Sequence, residues 1–312
     1  MTGIALEPFV GTNPLGFIAA LGVLDVATRT GTADPAPILR WTDALVPRAV
    51  LTGPVDLGEL VSRIDDDRAS WLRSPLLRWP AEAPLTDVKP SPKVLHEWAQ
   101  AMIGRPRWET DLFCALLAEG ALAGKLDSKP THLHFTAGQQ KFLSMVRELA
   151  EKVDAAAIEE ALRGPWRYDS TLPSLSWDVR GERIYALRGF DPAGEKRTGV
   201  PGADWLAFLG LTFFPVVAKG RVLETTACWG SWKSGSFVWP LWDAPLPVPV
   251  VRSLLADRDL RDQPEGQRRA RGVFRLLEST IRRSNQGGYG SFTPPQPASP
   301  RRSTRAGRAA AR

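Results

Sequence analysis

The chain has 312 residues, 43% of them hydrophobic, and a formal net charge of +6. That is enough apolar material for one large domain or two lobes, while the uninterrupted apolar runs fall short of the roughly 18 residues a membrane span needs. Cys114 and Cys228 lie far apart in apolar surroundings, which argues against a disulfide framework and for two buried free thiols. The start has no basic stretch ahead of an apolar segment, as a signal peptide would, so a cytoplasmic protein is expected.

The first fifty residues read as a strand, a helix and two short strands near 38–41 and 49–51. In the helix, Asn13 followed by Pro14 is an N-cap with proline in the first turn. Residues 14–27 are apolar on nearly every side, and the interior Gly16 and Gly22 weaken a helix unless a neighbour presses close. A second segment, 203–214, repeats the pattern around Gly210 and stops at Pro215. Between them, helices are expected at 56–71, 92–103, 109–122 and 154–162, with a proline-rich connection at 74–92. The run 131–135 reads as a strand that passes into a helix capped by Thr136 and continuing over 139–152.

Residues 164–202 form a polar, irregular stretch with at most a strand at 183–187. Strands follow at 222–227 and 236–241, then helices at 248–255 and 265–284. Beyond Gln286 the chain is rich in Gly, Ser, Pro and Arg and reads as a disordered tail. The expected fold is α+β, with short, mostly antiparallel strands, in an N-terminal lobe (1–163), a C-terminal lobe (164–284) and an Arg-rich tail (285–312).

Charge divides unevenly along this order. Residues 252–312 hold 14 arginines against 5 acids, a net of +9, which leaves −3 for residues 1–251. Segregated basic charge suits a polyanion-binding surface. Abundant arginine beside Ala, Gly and Pro is equally what a GC-rich genome produces, so a merely solvated basic face is the competing reading. At 100° per residue, Arg268, Arg271, Arg275 and Arg282 would share a stripe about 60° wide on the last helix, with Arg283 beside it. Guanidinium forks suit phosphate oxygens. The segment 226–235 interleaves Trp229 and Trp232 with Gly, Ser and Lys233, as base-stacking surfaces do. Lys141, Arg180, Arg183 and Arg188 complete the candidate phosphate contacts.

Catalytic signatures are missing. There is no nucleophile elbow, no phosphate-cradling loop ending in Gly-Lys-Ser/Thr and no dinucleotide-binding Gly-x-Gly-x-x-Gly. His132 and His134, two apart with no third ligand near in sequence, do not make a metal site, and no cofactor is expected. Asp169, Asp178, Glu182 and Asp191 would be the Mg²⁺ ligands if the chain were a nuclease, but each has an arginine close in sequence, as a loop ion pair requires.

The opening Asn13-Pro14-Leu15-Gly16-Phe17-Ile18-Ala19-Ala20-Leu21-Gly22-Val23-Leu24 resembles that of CRISPR-associated effector subunits of the type I-G (formerly I-U) group. The blocks 133–142, 203–210 and 236–242 are similar to accessory and large-subunit proteins of that group, and together the blocks cover under a fifth of the chain. The resemblance implies a non-catalytic component of an antiviral effector complex whose partners are crRNA or target DNA and other effector subunits, away from any membrane. A protein–protein adaptor without nucleic-acid contact remains the alternative of a different class.

Overall fold

The computed structural model describes residues 3–31, 34–53, 56–123, 127–136, 140–181, 198–283 and 290–300. Strand β1 (Gly3–Val10) turns into α1 (Pro14–Thr30), where the Asn13 side chain accepts from the Leu15 N–H as the expected cap. β2 (Ile38–Trp41) and β3 (Arg48–Thr52) complete an antiparallel sheet in the order β1-β3-β2. A helical layer follows: α2 (Leu57–Trp71), α3 (Pro75–Arg78), α4 (Pro92–Met102) and α5 (Arg107–Leu116). After the small hairpin β4 (Leu122–Ala123) and β5 (Asp127–Ser128) come α6 (Phe142–Lys152) and α7 (Ala155–Arg163). The second half begins with α8 (Pro201–Gly210) and the hairpin β6 (Val216–Lys219) and β7 (Val222–Thr225). β8 (Cys228–Gly230) and β9 (Gly235–Trp242) precede α9 (Val248–Ala256) and α10 (Glu265–Ala270). β10 (Val273–Arg283), β11 (Gly290–Phe292) and β12 (Gln296–Pro297) close a five-stranded antiparallel sheet ordered β11-β10-β9-β8, with β12 also on β10. The fold is α+β.

The two glycine-bearing helices are each other's partners. α1 is buried from Pro14 to Ala27 and α8 along its whole length, which is why neither shows a polar face. A Cβ on Gly22 would overlap the Leu206 carbonyl, and one on Gly210 would overlap the Ile18 carbonyl, so the backbones touch directly. One continuous cluster of buried apolar side chains runs from Leu6 to Phe292 through both halves of the chain. Aromatic contacts tie the sheets together: Phe17 stacks on Trp41 at 5.6 Å and meets Trp242 edge-on at 6.1 Å. The Trp239 indole donates to the Gly11 carbonyl (2.9 Å) and that of Trp242 to the Leu39 carbonyl (2.8 Å). β9 is thereby fixed against the N-terminal unit.

Four expectations are corrected. Both cysteines are free thiols, but only Cys228 is buried and Cys114 is exposed. The helix expected over 265–284 is the short α10 followed by the long strand β10. Gly272, at φ +78°, breaks the helix in the left-handed region, and from Leu277 onward the buried positions alternate with a period of two. Residues 131–135 form a turn instead of a strand, and α6 starts at Phe142 with Lys141, not Thr136, at its N-cap position. Part of the expected disordered tail is paired with β10 as β11 and β12, because Phe292 is buried against Phe135 (4.9 Å) and Phe237 (5.5 Å). The strand expected at 183–187 lies outside the described residues.

Candidate nucleic-acid interface

Strand alternation sorts the side chains of the five-stranded sheet. Cys228, Phe237 and Ser279 stand opposite one another on the inner face and are buried. Trp229, Ser236 and Thr280 form the adjacent row on the outer face, followed toward β11 by the exposed Arg282 opposite Ser291. The other half of the outer face, with Val238, Pro240 and Leu276, is roofed by the end of α9 and the turn after it. Between roof and sheet lies a cavity of about 220 Å³ with Trp229 in its wall.

Charge around the cavity is balanced pair by pair. Arg258 and Arg261 place their guanidinium carbons 5.7 and 5.9 Å from the Trp229 ring centroid. Arg258 donates to Glu224 (2.6 Å), and Arg261 donates to Glu278 and to the Ser299 carbonyl (both 2.7 Å). Arg271 donates to Asp257 (2.7 Å) and Gln263 (3.1 Å). Partial burial pushes the Asp257 carboxyl up, but Arg271 and the N–H groups of Asp259 and Leu260 outweigh it and hold the group below its ordinary range.

No family model, characterised protein or solved structure matches the chain.

The expected arginine ladder is divided in two. Arg268, Arg271 and Arg275 sit where α10 meets β10, with Arg268 donating to the Gln263 carbonyl (2.7 Å) and Arg275 to the Ala44 carbonyl (3.3 Å). Arg282 and Arg283 lie at the far end of the strand, about 23–26 Å beyond Arg275 at 3.3 Å per residue. Consecutive strand residues point oppositely, so Arg282 faces outward while Arg283 turns in. Arg283 donates to the carbonyls of His132 (2.7 Å), His134 (2.8 Å) and Trp232 (2.9 Å), and its guanidinium lies 3.8 Å from the Trp232 ring centroid. Burial pulls its pKa down to about 10. Arg283 is thus a clamp for two loops, and one face of Trp232 is already occupied.

Lys233 is exposed at the tip of the β8–β9 turn, and Lys141 is exposed at the start of α6, a helix that packs on α8. Arg180 stacks on Tyr168 at 4.2 Å, while Arg183 and Arg188 lie outside the described residues. Asp178 accepts from the Tyr168 hydroxyl (2.7 Å), Asn13 Nδ2 (3.2 Å) and the Arg180 N–H (2.9 Å), which ties the irregular stretch to the cap of α1. Asp169 pairs with Arg167 at 3.8 Å, and Glu182 and Asp191 lie outside the described residues. Among the described residues no three His, Cys, Asp or Glu side chains gather as metal ligands, and no helix is long and apolar enough to cross a membrane.

The two histidines are interior groups. His132 Nδ1 is hydrogen-bonded with the Thr225 hydroxyl (2.9 Å), and His134 Nε2 with Asp87 (2.8 Å). Burial, aided by Arg283, pushes His132 down to about 4, and burial likewise lowers His134. The residues that sequence reasoning missed are Arg258, Arg261, Glu224 and Glu278. The one sequence signal for the two arginines is the charged stretch Asp257-Arg258-Asp259-Leu260-Arg261 directly after α9.

Proposed function

We propose that the protein is a non-catalytic, single-strand nucleic-acid-binding component of a type I-G CRISPR effector complex. The observation that carries the binding reading is the outer row Trp229–Ser236–Thr280 with Arg282 beside it. An aromatic ring, hydroxyls and a guanidinium on one sheet face suit splayed bases and the phosphates between them. A duplex hides its bases from such a face, so single strands are the preferred ligand. The assignment to the effector group is supported by the sequence blocks that resemble it.

The test is the anisotropy of labelled single-stranded RNA, single-stranded DNA and duplex titrated with the full chain across a salt series. Binding of single strands over duplex, weakening with salt by about 0.7 in log–log slope per phosphate contacted, is the expected result. One observation favours the adaptor instead: Arg258, Arg261, Arg269 and Arg271 all have carboxylate partners already. Absence of binding to every nucleic acid would give the adaptor reading the site.

A further inference from the structure

We infer that the Trp229 cavity is a slot for one unstacked nucleobase, a neutral planar heterocycle, and that it excludes phosphate. The inference rests on the single-strand reading of the sheet face and adds what the slot itself takes. Its volume of about 220 Å³ lies below the roughly 300–1,000 Å³ of sites for drug-sized ligands, so it holds a single ring system. Trp229 supplies a stacking wall, and Val238, Pro240, Leu254 and Leu276 supply apolar surface.

The rim decides against an anion. Arg258, Arg261 and Arg271 are each bonded to a carboxylate, on Glu224, Glu278 and Asp257 respectively. A phosphate entering here meets the carboxylates of Glu224 and Asp257 in the lining and must displace a carboxylate to reach a guanidinium. A base edge carries donors and acceptors together. It can donate to the open lone pairs of Glu224 or Asp257 and accept from the remaining Arg258 N–H groups without breaking a pair. The two guanidiniums beside Trp229 also hold the ring in place, so little of its freedom is lost on binding. Ser236, Thr280 and the exposed Arg282 lie on the same outer face as Trp229, and the backbone of the same strand would run over them.

The test compares a mixed-sequence single-stranded oligonucleotide with a sugar–phosphate chain of the same length that lacks bases, each titrated with the full protein. The wild type should prefer the base-bearing chain, and Trp229→Ala should erase about 5- to 100-fold of that preference. Trp229→Phe, which keeps an aromatic wall, should retain most of it, and equal melting temperatures of the two variants establish that the fold is intact. Should Trp229→Ala not fold, the Phe variant and Glu224→Gln, which alters the rim alone, carry the test through a changed ranking of the four homopolymers. Equal affinity of the wild type for both chains overturns the slot and leaves the sheet face with phosphate contact alone. If neither chain binds, the single-strand reading falls. Free adenosine followed by saturation-transfer NMR then decides the slot alone: a signal lost in Trp229→Ala keeps it as a nucleoside site, and no signal ends it.

Discussion

The α1–α8 contact and the outer face of the five-stranded sheet are built on opposite rules. At the first, two helices meet backbone to backbone through Gly22 and Gly210, with no side chain able to move aside. At the second, the pairs Arg258–Glu224 and Arg271–Asp257 stand at the protein surface, where either is replaceable. One region therefore transmits any change into stability, while the other can change its chemistry with the fold intact.

The largest effect separating them is expected at the glycines. Gly22→Leu places a branched side chain into the Leu206 carbonyl and should cost at least the roughly 1–3 kcal/mol of overpacking, read as a lower melting temperature. An unchanged melting temperature would mean that the two helices do not touch as described. Next come the adjacent arginines of β10. Arg283→Leu strands the carbonyls of His132, His134 and Trp232 and should lose about 3 kcal/mol, while Arg282→Gln should stay within about 0.5 kcal/mol of the parent. Equal effects at 282 and 283 would dissolve the distinction between inner and outer face.

The pH dependence of stability sharpens the same contrast. His132, lowered to about 4 by burial, binds its proton in the unfolded chain but not in the folded one between pH 4 and 6.5. Stability from this group is complete above 6.5 and falls as the pH drops toward 4. Asp204, which burial pushes up to about 7, does the reverse: it keeps its proton in the fold and stability falls as pH rises from 3.8 to 7. The two interior groups oppose each other across most of that window. Asp204→Asn, which retains an acceptor for the Leu175 N–H, should steepen the acid loss by about one proton and raise stability at pH 8. Parallel pH profiles for parent and variant in thermal melts would place Asp204 in solvent.

Burial on all sides admits one reading, which is why α1 and α8 are legible in sequence. The glycines announce a close neighbour but not which one. Residues 265–284 admit two readings, since Val273, Phe274, Leu277 and Ile281 fit a helical stripe, and only Gly272 at φ +78° decides for the strand. Trp229 stands out through its Gly-, Ser- and Lys-rich surroundings. Arg258 and Arg261 do not, because what brings them to Trp229 is the return of the chain after α9 over a sheet whose register no local pattern encodes.

The smallest effect expected is on the face itself, and it tests where the phosphates run. Under the single-strand reading, Arg282→Gln together with Lys233→Gln should weaken single-strand affinity a few-fold and flatten the salt slope by about 1.4, two contacts at about 0.7 each. Arg268→Gln, Arg271→Gln and Arg275→Gln made together lie at the opposite end of β10, where Arg271 is already paired with Asp257. Their loss should change the slope by less than the double variant does. The reverse order, a larger change from the triple variant, would move the strand's path to the α10 end of the sheet and away from Trp229. Phosphates contacted at both ends at once would require the strand to follow β10 along its length, and the two slope changes would then add.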